Sequence, residues 1–217
     1  MNYKSQYGQD KWIVENLYDG MTHGFFVDIG AGDGEMISNT WVLEKELQWD
    51  GICIDPSDVT WEALNRNRSC TKDNVIVSDT DGEMDFYDVT SVGYFDSYFS
   101  STSLPPAKYS QYELKKKRSE RLFTTLTRLN SSTLIHYLSL DTEGMELSIL
   151  RKFFEDEYVT NPENWKRRVL AIGVEHNLQP AYMEELRDLL EKNFYTRAVT
   201  LGVDDIYVHR IYDVMYK

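Results

Sequence analysis

Three glycines in five positions, directly after a short apolar run, constrain this chain more than any other feature. Gly30, Gly32 and Gly34 follow Phe25–Ile29, whose apolar residues predict a buried strand. Glycine loses the most backbone freedom when it is ordered, so a cluster of glycines needs a physical reason. The usual reasons are a tight turn and a close approach of the backbone to a ligand. The loop therefore predicts a ligand site at the end of a strand.

Short apolar runs alternate along the chain with stretches of helical periodicity. The runs that predict strands are Phe25–Ile29, Gly51–Ile54, Asn74–Val77, Tyr137–Leu140 and Val169–Val174. Helices are predicted over Met36–Trp49, Val59–Arg66, the stretch from Met145 to Phe153 and Ala181–Lys192. A closing hairpin is predicted from Phe194–Leu201 and Ile206–Ile211. This order predicts an α/β fold in which one domain, residues 1–217, is doubly wound around a mostly parallel sheet.

A long connection, Val89 to Ser132, separates the third and fourth predicted strands. Within it, Gln111–Leu122 is rich in Lys and Arg and predicts a helix, with the run Lys115–Arg118 on its solvated face. A connection of this length inside a compact domain is unusual unless it carries function. We therefore expect the connection to be an insertion that contributes to substrate binding.

The composition argues against several classes of partner. The chain has 23 Lys and Arg against 36 Asp and Glu, a net charge of −13, which disfavours nucleic acid or an anionic membrane as the partner. Cys53 and Cys70 are too few for a disulfide framework or a zinc cluster, and they are typical of a reducing compartment. The first ten residues are polar and no apolar run approaches 18 residues, so we expect no signal peptide, no membrane span and a cytoplasmic location.

Polar residues follow each predicted strand where the chain leaves the sheet. The carboxyl ends of parallel strands share one edge, and open α/β sheets bind their ligands there. An acid after the second strand can accept both hydroxyls of a ribose, and Asp55 lies 21 positions after Gly34. The sequence therefore predicts a nucleoside site. The strand-end residues are Asp28 with Gly30, Ala31, Gly32, Asp33 and Gly34; Asp55; Ser78 and Asp79; Asp141; and Glu175, His176 and Asn177.

The charge around the glycine loop indicates which nucleoside derivative fits. The spacing is G-x-G-x-G, whereas the dinucleotide fingerprint is G-x-G-x-x-G. Asp28, Asp33 and Glu35 surround the loop with negative charge, which repels a pyrophosphate and attracts an ammonium or a sulfonium group. S-adenosylmethionine carries a ribose, an α-amino group and a positively charged sulfur, so it is the favoured ligand, and NAD is the alternative.

Six segments form a pattern that runs from Ser5 to Ile211. They are SQYGQD (5–10), GFFVDIGAGDG (24–34), SNT (38–40), GICIDP (51–56), YLSLDTEGMEL (137–147) and VEHN (174–177). The joint pattern resembles that of the FkbM-type methyltransferases. The resemblance implies a Rossmann-like class I methyltransferase fold, with a mostly parallel seven-stranded sheet and a C-terminal antiparallel hairpin. It implies S-adenosylmethionine as the methyl donor, commonly for O-methylation of sugars or secondary metabolites.

The resemblance also implies roles for individual residues in holding the donor. Gly30, Gly32 and Gly34 are expected to line the donor, and Asp55 is expected to hold its ribose. Ser78 and Asp79 are expected near the adenine. Asp28 and Ala31, which belong to the same loop, complete the expected donor site.

A sugar hydroxyl is a poor nucleophile at neutral pH, so it needs a base or an acidifying metal. Asp141 is predicted to be the base or a metal ligand, although it could also cap the following helix. His176 is predicted to be a base or to orient the acceptor, although a structural histidine is the alternative. Asp141, Glu175 and His176 together are candidate ligands for Mg²⁺ or Mn²⁺. Glu143 is a candidate supporting acid, and Glu146 either supports the site or lies on a solvated helix face.

These observations predict an S-adenosylmethionine-dependent O-methyltransferase. The expected acceptor is a hydroxyl of a sugar, a glycan or a glycosylated small molecule. Two other functions stay open: an NAD-dependent sugar oxidoreductase and a non-catalytic nucleoside-binding module. Asp141 and the Glu175–His176 pair favour an enzyme, because a scaffold needs neither at a strand end.

Overall fold

A seven-stranded sheet organises the computed structural model, which describes residues 1–89, 101–103, 112–160 and 167–216. Seven strands lie in the order β3-β2-β1-β7-β8-β10-β9, and all neighbours are parallel except that β10 runs antiparallel to β8 and β9. The predicted mostly parallel sheet with a closing antiparallel hairpin is confirmed. The strands of the described residues are β1 (Phe25–Ile29), β2 (Asp50–Ile54), β3 (Thr71–Asp73), β4 (Ile76–Ser78), β5 (Gly82–Val89), β6 (Tyr112–Arg121), β7 (Leu134–Leu140), β8 (Arg168–Glu175), β9 (Tyr195–Leu201) and β10 (Asp204–His209).

Helices cover both faces of this sheet. Side chains alternate along β1, so Val27 and Ile29 join one buried cluster while Phe26 joins the other. Residues of α4, α5 and α6 pack in the first cluster, and residues of α1, α2 and α3 pack in the second. The helices are α1 (Gln9–Trp12, continued by a π-helical turn over Ile13–Leu17), α2 (Trp41–Lys45), α3 (Asp58–Asn67), α4 (Leu122–Arg128), α5 (Glu146–Thr160), α6 (Pro180–Lys192) and α7 (Ile211–Tyr216).

The prediction that Asn74–Val77 forms the third strand of the main sheet is wrong. The edge strand is the polar β3, and Ile76–Ser78 instead forms β4 of a small second sheet with the order β4-β6-β5. Val75 and Val77 are buried, which explains their apolar character. An edge strand has only one bonded neighbour and needs no alternation of apolar residues, so β3 could not be predicted from such a pattern.

The predicted helix over Gln111–Leu122 is also wrong, because the segment forms strand β6. Side chains alternate along this strand: Lys117 is 10% exposed, whereas Lys116 is 68% exposed. Charged residues occupy both faces, so no apolar alternation marks the strand in the sequence. A helix, α4, begins only at Leu122.

The predicted helix over Met36–Trp49 is shortened to α2. Ile37 adopts a left-handed backbone conformation with φ of 51° and forms an isolated bridge with Ser5. Ser38 then accepts hydrogen bonds from the backbone N–H groups of Thr40 and Trp41. The segment from Ile37 to Thr40 is therefore an ordered loop beside the glycine loop.

The connection Val89 to Ser132 contains β6, α4 and the described residues Ser101 and Thr102, while residues 90–100 and 104–111 lie outside the described residues. Ser101 pairs with Tyr87 of β5 through two backbone hydrogen bonds of 2.8 and 3.2 Å. Among the described helices, we find none with the length and apolar character needed to cross a membrane.

Candidate active site

A pocket of about 920 Å³, open to solvent, lies beyond the carboxyl ends of β1, β2 and β7. The position agrees with the rule that open α/β sheets bind ligands at this edge. The lining residues are 28–32, 36–39, 55–57, 75–77 and 141–143, with Thr60, Phe86, Ser101, Thr102 and Met145.

The glycine loop forms one wall of this pocket and touches the neighbouring strand end. The N–H groups of Gly30 and Ala31 donate to the carbonyl of Ile54, at 2.9 and 3.2 Å. Gly30 has φ of 84°, and a Cβ atom there would overlap the carbonyl oxygen of Asp141. Both observations require glycine at this position, because an L side chain has neither the conformation nor the space.

Asp55 closes the loop from the end of β2. Its Oδ2 accepts from the N–H of Gly32 at 2.8 Å, and its Oδ1 accepts from the N–H of Ser57 at 2.9 Å. Burial raises the pKa of Asp55 to about 6, against the lowering effect of these hydrogen bonds. Oδ1 also accepts from the Thr60 hydroxyl at 3.2 Å, whereas Oδ2 keeps a second lone pair, so Asp55 can organise the loop and still accept a ribose hydroxyl.

The structure does not bring Ser78 and Asp79 to the pocket. Ser78 is fully buried in the small sheet, where its hydroxyl bonds to the Ser119 hydroxyl at 2.5 Å, and Asp79 is exposed. The pocket wall here consists of 75–77 and Phe86 instead. This apolar wall offers an adenine ring a surface to pack on, and it corrects the expected positions of the two polar residues.

A network of buried charged and polar side chains holds the glycine loop in place. Asp28 is 3% exposed and accepts from the Thr40 hydroxyl at 2.6 Å. Arg68, which is 2% exposed, donates to the Gly34 carbonyl at 3.2 Å and to the Thr40 hydroxyl at 3.0 Å. Burial raises the pKa of Asp28, while the Arg68 guanidinium opposes this shift. The sequence analysis missed Arg68, because it lies outside every recognised motif.

Three carboxylates converge at the end of the pocket. One oxygen each of Asp141, Glu143 and Glu175 lie within 4.8 Å of one another. Burial, followed by the charge of Glu175, raises the pKa of Asp141 well above its usual value. Burial, followed by the charge of Glu143, raises the pKa of Glu175 to about 8. The carboxyl groups of Asp141 and Glu175 therefore lie close together in a buried site, where burial and mutual repulsion favour their protonated forms.

Glu146 orders the loop that carries Asp141 and Glu143. It is 1% exposed and accepts from the backbone N–H of Thr142 at 2.7 Å and of Gly144 at 3.1 Å. The Tyr182 hydroxyl donates to its other oxygen at 2.6 Å. The solvated helix face considered for Glu146 is therefore wrong, and its role is to hold the loop.

The structure places His176 away from the three carboxylates. His176 follows the last residue of β8, and its ring nitrogens do not join the group of Asp141, Glu143 and Glu175 oxygens. His176 Nδ1 accepts from the N–H of Leu178 at 3.1 Å, and Nε2 lies 3.7 Å from Asp205 Oδ1. Burial lowers the pKa of His176, so the ring is neutral at pH 7. Glu143 takes the place beside Asp141 that the sequence analysis had given to His176.

Asn39 completes the pocket beside Asp28. Its Nδ2 donates to the Ser139 hydroxyl at 3.0 Å. Its Oδ1 is buried and has no hydrogen-bond partner within the described residues. The sequence analysis noted Asn39 only as part of a motif. Glycine turns, an apolar wall, buried carboxylates and an unpaired acceptor together fit a nucleoside with a positively charged substituent.

Comparisons with known proteins agree with this fold. A family model described as the methyltransferase FkbM domain matches residues 28–196, more than half of the chain. The METTL16 MTase domain aligns with a TM-score of 0.50 and 11% identity, covering 92% of this chain and 64% of that one. The human methyltransferase 10 domain containing protein aligns with a TM-score of 0.44 and 10% identity, covering 96% and 83%. The chain thus spans less than two thirds of the METTL16 domain, and a search of curated proteins gives no match.

Proposed function

Because this chain belongs to the FkbM methyltransferase family, we propose that it transfers a methyl group from S-adenosylmethionine to a hydroxyl oxygen of a carbohydrate or a glycosylated small molecule. Family membership favours methyl transfer over the two other functions, hydride transfer with NAD and binding without catalysis. The observation that carries the choice of an oxygen acceptor is the close approach of the Asp141, Glu143 and Glu175 carboxylates, two of which line the pocket.

The pocket offers the donor a distinct surface for each of its parts. The apolar wall of 75–77 and Phe86 suits the adenine, and Asp55 suits the ribose hydroxyls. Asp28 lies at the other end, where the donor's positive charge is favoured. When bound, S-adenosylmethionine supplies a methyl group on a positively charged sulfur.

Asp141 is placed to remove the proton from the acceptor hydroxyl. Its backbone touches Gly30, so the base and the donor loop keep a constant separation. A carboxylate with a raised pKa is a stronger base than an ordinary one, which helps to deprotonate a hydroxyl. As the hydroxyl proton passes to Asp141, the oxygen attacks the methyl carbon and the bond from that carbon to sulfur breaks. Holding the reactants in line supplies much of the remaining rate.

The charge of the site supports a neutral, hydroxyl-rich acceptor. Glu143 and Glu175 can accept hydrogen bonds from hydroxyl groups, and ionised carboxylates here would repel phosphate or carboxylate groups. Asp204, which is paired with Glu175 across β10 and β8, is a further acid, and burial raises its pKa to about 6, so it is largely ionised at neutral pH. The net charge of −13 similarly disfavours a nucleic acid or a membrane as the partner.

The same three carboxylates also provide a ligand set for a divalent cation. Asp141, Glu143 and Glu175 are hard oxygen ligands of the kind that Mg²⁺ and Mn²⁺ prefer. A cation there would acidify the acceptor hydroxyl and keep all three carboxylates ionised. Treatment with EDTA followed by addition of Mn²⁺ tests whether the reaction uses a divalent cation. Loss of turnover with EDTA and its recovery with Mn²⁺ supports the cation, and unchanged turnover supports catalysis by the carboxylates without a cation.

The two cysteines support a cytoplasmic location. Cys53 and Cys70 are free thiols whose sulfur atoms lie 3.5 Å apart. Two cysteines in 217 residues are too few for a disulfide framework, which is typical of proteins from a reducing compartment. We therefore place the reaction in the cytoplasm.

Turnover of a panel of mono- and oligosaccharides with methyl-labelled S-adenosylmethionine tests the proposed reaction. We expect label in at least one sugar. We expect Asp141→Asn to lower kcat by about 10²-fold or more, which is the usual contribution of a general base. Calorimetry should show that the variant still binds S-adenosylhomocysteine. Glu184→Gln, at a site that is 71% exposed, is the matched control. Full activity of Asp141→Asn would overturn the assignment of the base.

A further inference from the structure

We infer that Asn39 recognises the α-ammonium group of the methionine part of the donor. This inference rests on the donor site described above and is independent of the acceptor. Asn39 lines the pocket, in the loop between the glycine turn and α2. The motif analysis gave it no role.

The orientation of the Asn39 amide is set by its one bond. Nδ2 donates to the Ser139 hydroxyl at 3.0 Å, at the carboxyl end of β7. This leaves Oδ1 as the buried acceptor without a partner among the described residues. Unpaired acceptors of this kind are uncommon in folded proteins, because desolvation costs free energy that no bond returns. The terminal amide torsion is broad, so a small rotation turns Oδ1 toward a ligand in the pocket that Asn39 lines.

The surrounding residues select the kind of group that Oδ1 can accept from. An amide oxygen accepts only, so its partner must be a donor. Asp28 of β1 is paired in register with Ser139 of β7, so this buried acid lies on the same side of the sheet as Ser139. Asp141 lies two residues after Ser139, directly after the end of β7. Acids at this end of the pocket favour a positive donor over a neutral one. The α-ammonium is the part of S-adenosylmethionine that is both a strong donor and positively charged.

The opposite end of the pocket is unsuited to that group. The wall of 75–77 and Phe86 is apolar and offers an ammonium no acceptor side chain. Asp55 lies between the two ends, where a ribose hydroxyl is expected. The donor therefore lies with its adenine at the apolar wall and its methionine part at Asn39. This orientation directs the sulfur toward the edge where Asp141 lies.

Calorimetry with two ligands tests the inference without any acceptor. S-adenosylhomocysteine carries the α-ammonium, whereas 5′-methylthioadenosine has the same nucleoside and lacks the amino-acid part. We expect Asn39→Ala to weaken S-adenosylhomocysteine binding by about 10-fold or more, since a hydrogen bond to a charged group contributes about 1.5–3 kcal/mol. Binding of 5′-methylthioadenosine should change by less than about twofold, because Asn39 is far from the shared nucleoside.

Three further measurements separate this role from a structural one. Asn39→Asp keeps an acceptor, and we expect it to retain the affinity for S-adenosylhomocysteine that Asn39→Ala loses. Asn65→Ala, at an exposed asparagine of α3, controls for the substitution itself. A desamino analogue of S-adenosylhomocysteine should bind wild type and Asn39→Ala equally. Equal losses for both nucleosides, or no loss for either, would overturn the inference. Failure of the wild type to bind either ligand would instead reject the donor site.

Discussion

Single residues in the site are constrained mainly by what they touch on the neighbouring strand end. Gly30 meets the Asp141 backbone, Asp55 holds the Gly32 N–H, and Arg68 holds the Gly34 carbonyl. The first two contacts join the ends of β1, β7 and β2, and the third joins the glycine loop to the end of α3. We therefore expect a change at any of these positions to affect both the proposed donor loop and the proposed base.

Replacing Gly30 by alanine tests this connection. The new Cβ would overlap the Asp141 carbonyl, and the left-handed backbone adds strain. We expect a loss of about 2 kcal/mol or more in the free energy of unfolding, as is usual for strain and overpacking at a buried position. Donor affinity should fall as well. Gly82→Ala is the control, since Gly82 also has a positive φ but no atom within 4 Å of the added Cβ. Equal losses in both variants would contradict the proposed contact.

The pH dependence of turnover follows from the raised pKa values of Asp141 and Glu175. A base acts only when ionised, and the pKa of Asp141 is raised well above its usual value, so we expect kcat to fall as the pH is lowered from alkaline values toward neutrality. Glu175→Gln removes a negative charge beside Asp141 and thereby lowers the pKa of Asp141. The midpoint of the kcat profile should therefore move to lower pH. An unchanged midpoint would show that Glu175 does not influence the base.

Sequence reasoning located the site residues that lie directly at strand ends. Gly30, Ala31, Gly32, Asp55 and Asp141 line the pocket, as the rule for parallel sheets predicts, whereas Gly34 packs against Arg68 and Leu64 instead. The same rule failed for Ser78, because Ser78 is the last residue of β4, which belongs to the small sheet. It failed for His176 because the rule gives the end of a strand but not the face on which each side chain lies.

Strands were predictable from the sequence where apolar residues form the periodic pattern, and they were missed where charged residues form it. Strands β1, β2, β7 and β8 are almost wholly buried, and their apolar runs mark them clearly. Strand β6 pairs with β5 through charged residues on both faces, so it has no apolar period to detect. Its charges nevertheless follow the strand alternation of two residues.

Two neighbouring lysines of β6 should therefore differ sharply in their effect on stability. Lys115 donates to Asp58 and to the fully buried Asp88, each at 3.0 Å, whereas Lys116 pairs with Asp85 at the surface. We expect Lys115→Met to lower the free energy of unfolding by about 1–3 kcal/mol, because a charge bound to Asp88 is lost from a buried site.

Lys116→Met is the control for this comparison and should leave the free energy of unfolding almost unchanged, as for an exposed ion pair. Urea denaturation of both variants measures the difference. Equal costs would contradict the alternation of the two faces.

The whole molecule concentrates acids that prefer to be protonated when folded. Burial raises the pKa of Asp55 and Asp204 to about 6, and burial with neighbouring charge raises that of Glu175 to about 8. Between about pH 4 and 8 the folded chain therefore binds protons that the unfolded chain has released. The free energy of unfolding decreases with pH wherever the folded state holds more protons. These groups stabilise the fold at low pH, and their contribution is lost as the pH rises through the folded values.

We expect the melting temperature to fall between pH 5 and pH 8. The expected fall is several degrees, since about 1 kcal/mol corresponds to 2–4 °C in a chain of this size. Asp204→Asn removes one titrating group and should make the decline shallower, while the amide oxygen can still accept from Gln9. Calorimetric scans across this pH range measure the effect, with Glu184→Gln as the exposed control. A melting temperature that rises over the same range would show that these acids are ionised in the folded state.

The contact between Gly30 and Asp141 has a consequence for how relatives of this chain can diverge. The loop proposed to hold the donor and the residue proposed as the base meet through their backbones, so the fold fixes the distance between these two backbone segments. The segments around the pocket can then change to accept new substrates, while the distance between the donor loop and the proposed base stays the same. Exchanging those segments between relatives should alter what is modified while the transfer step itself is preserved.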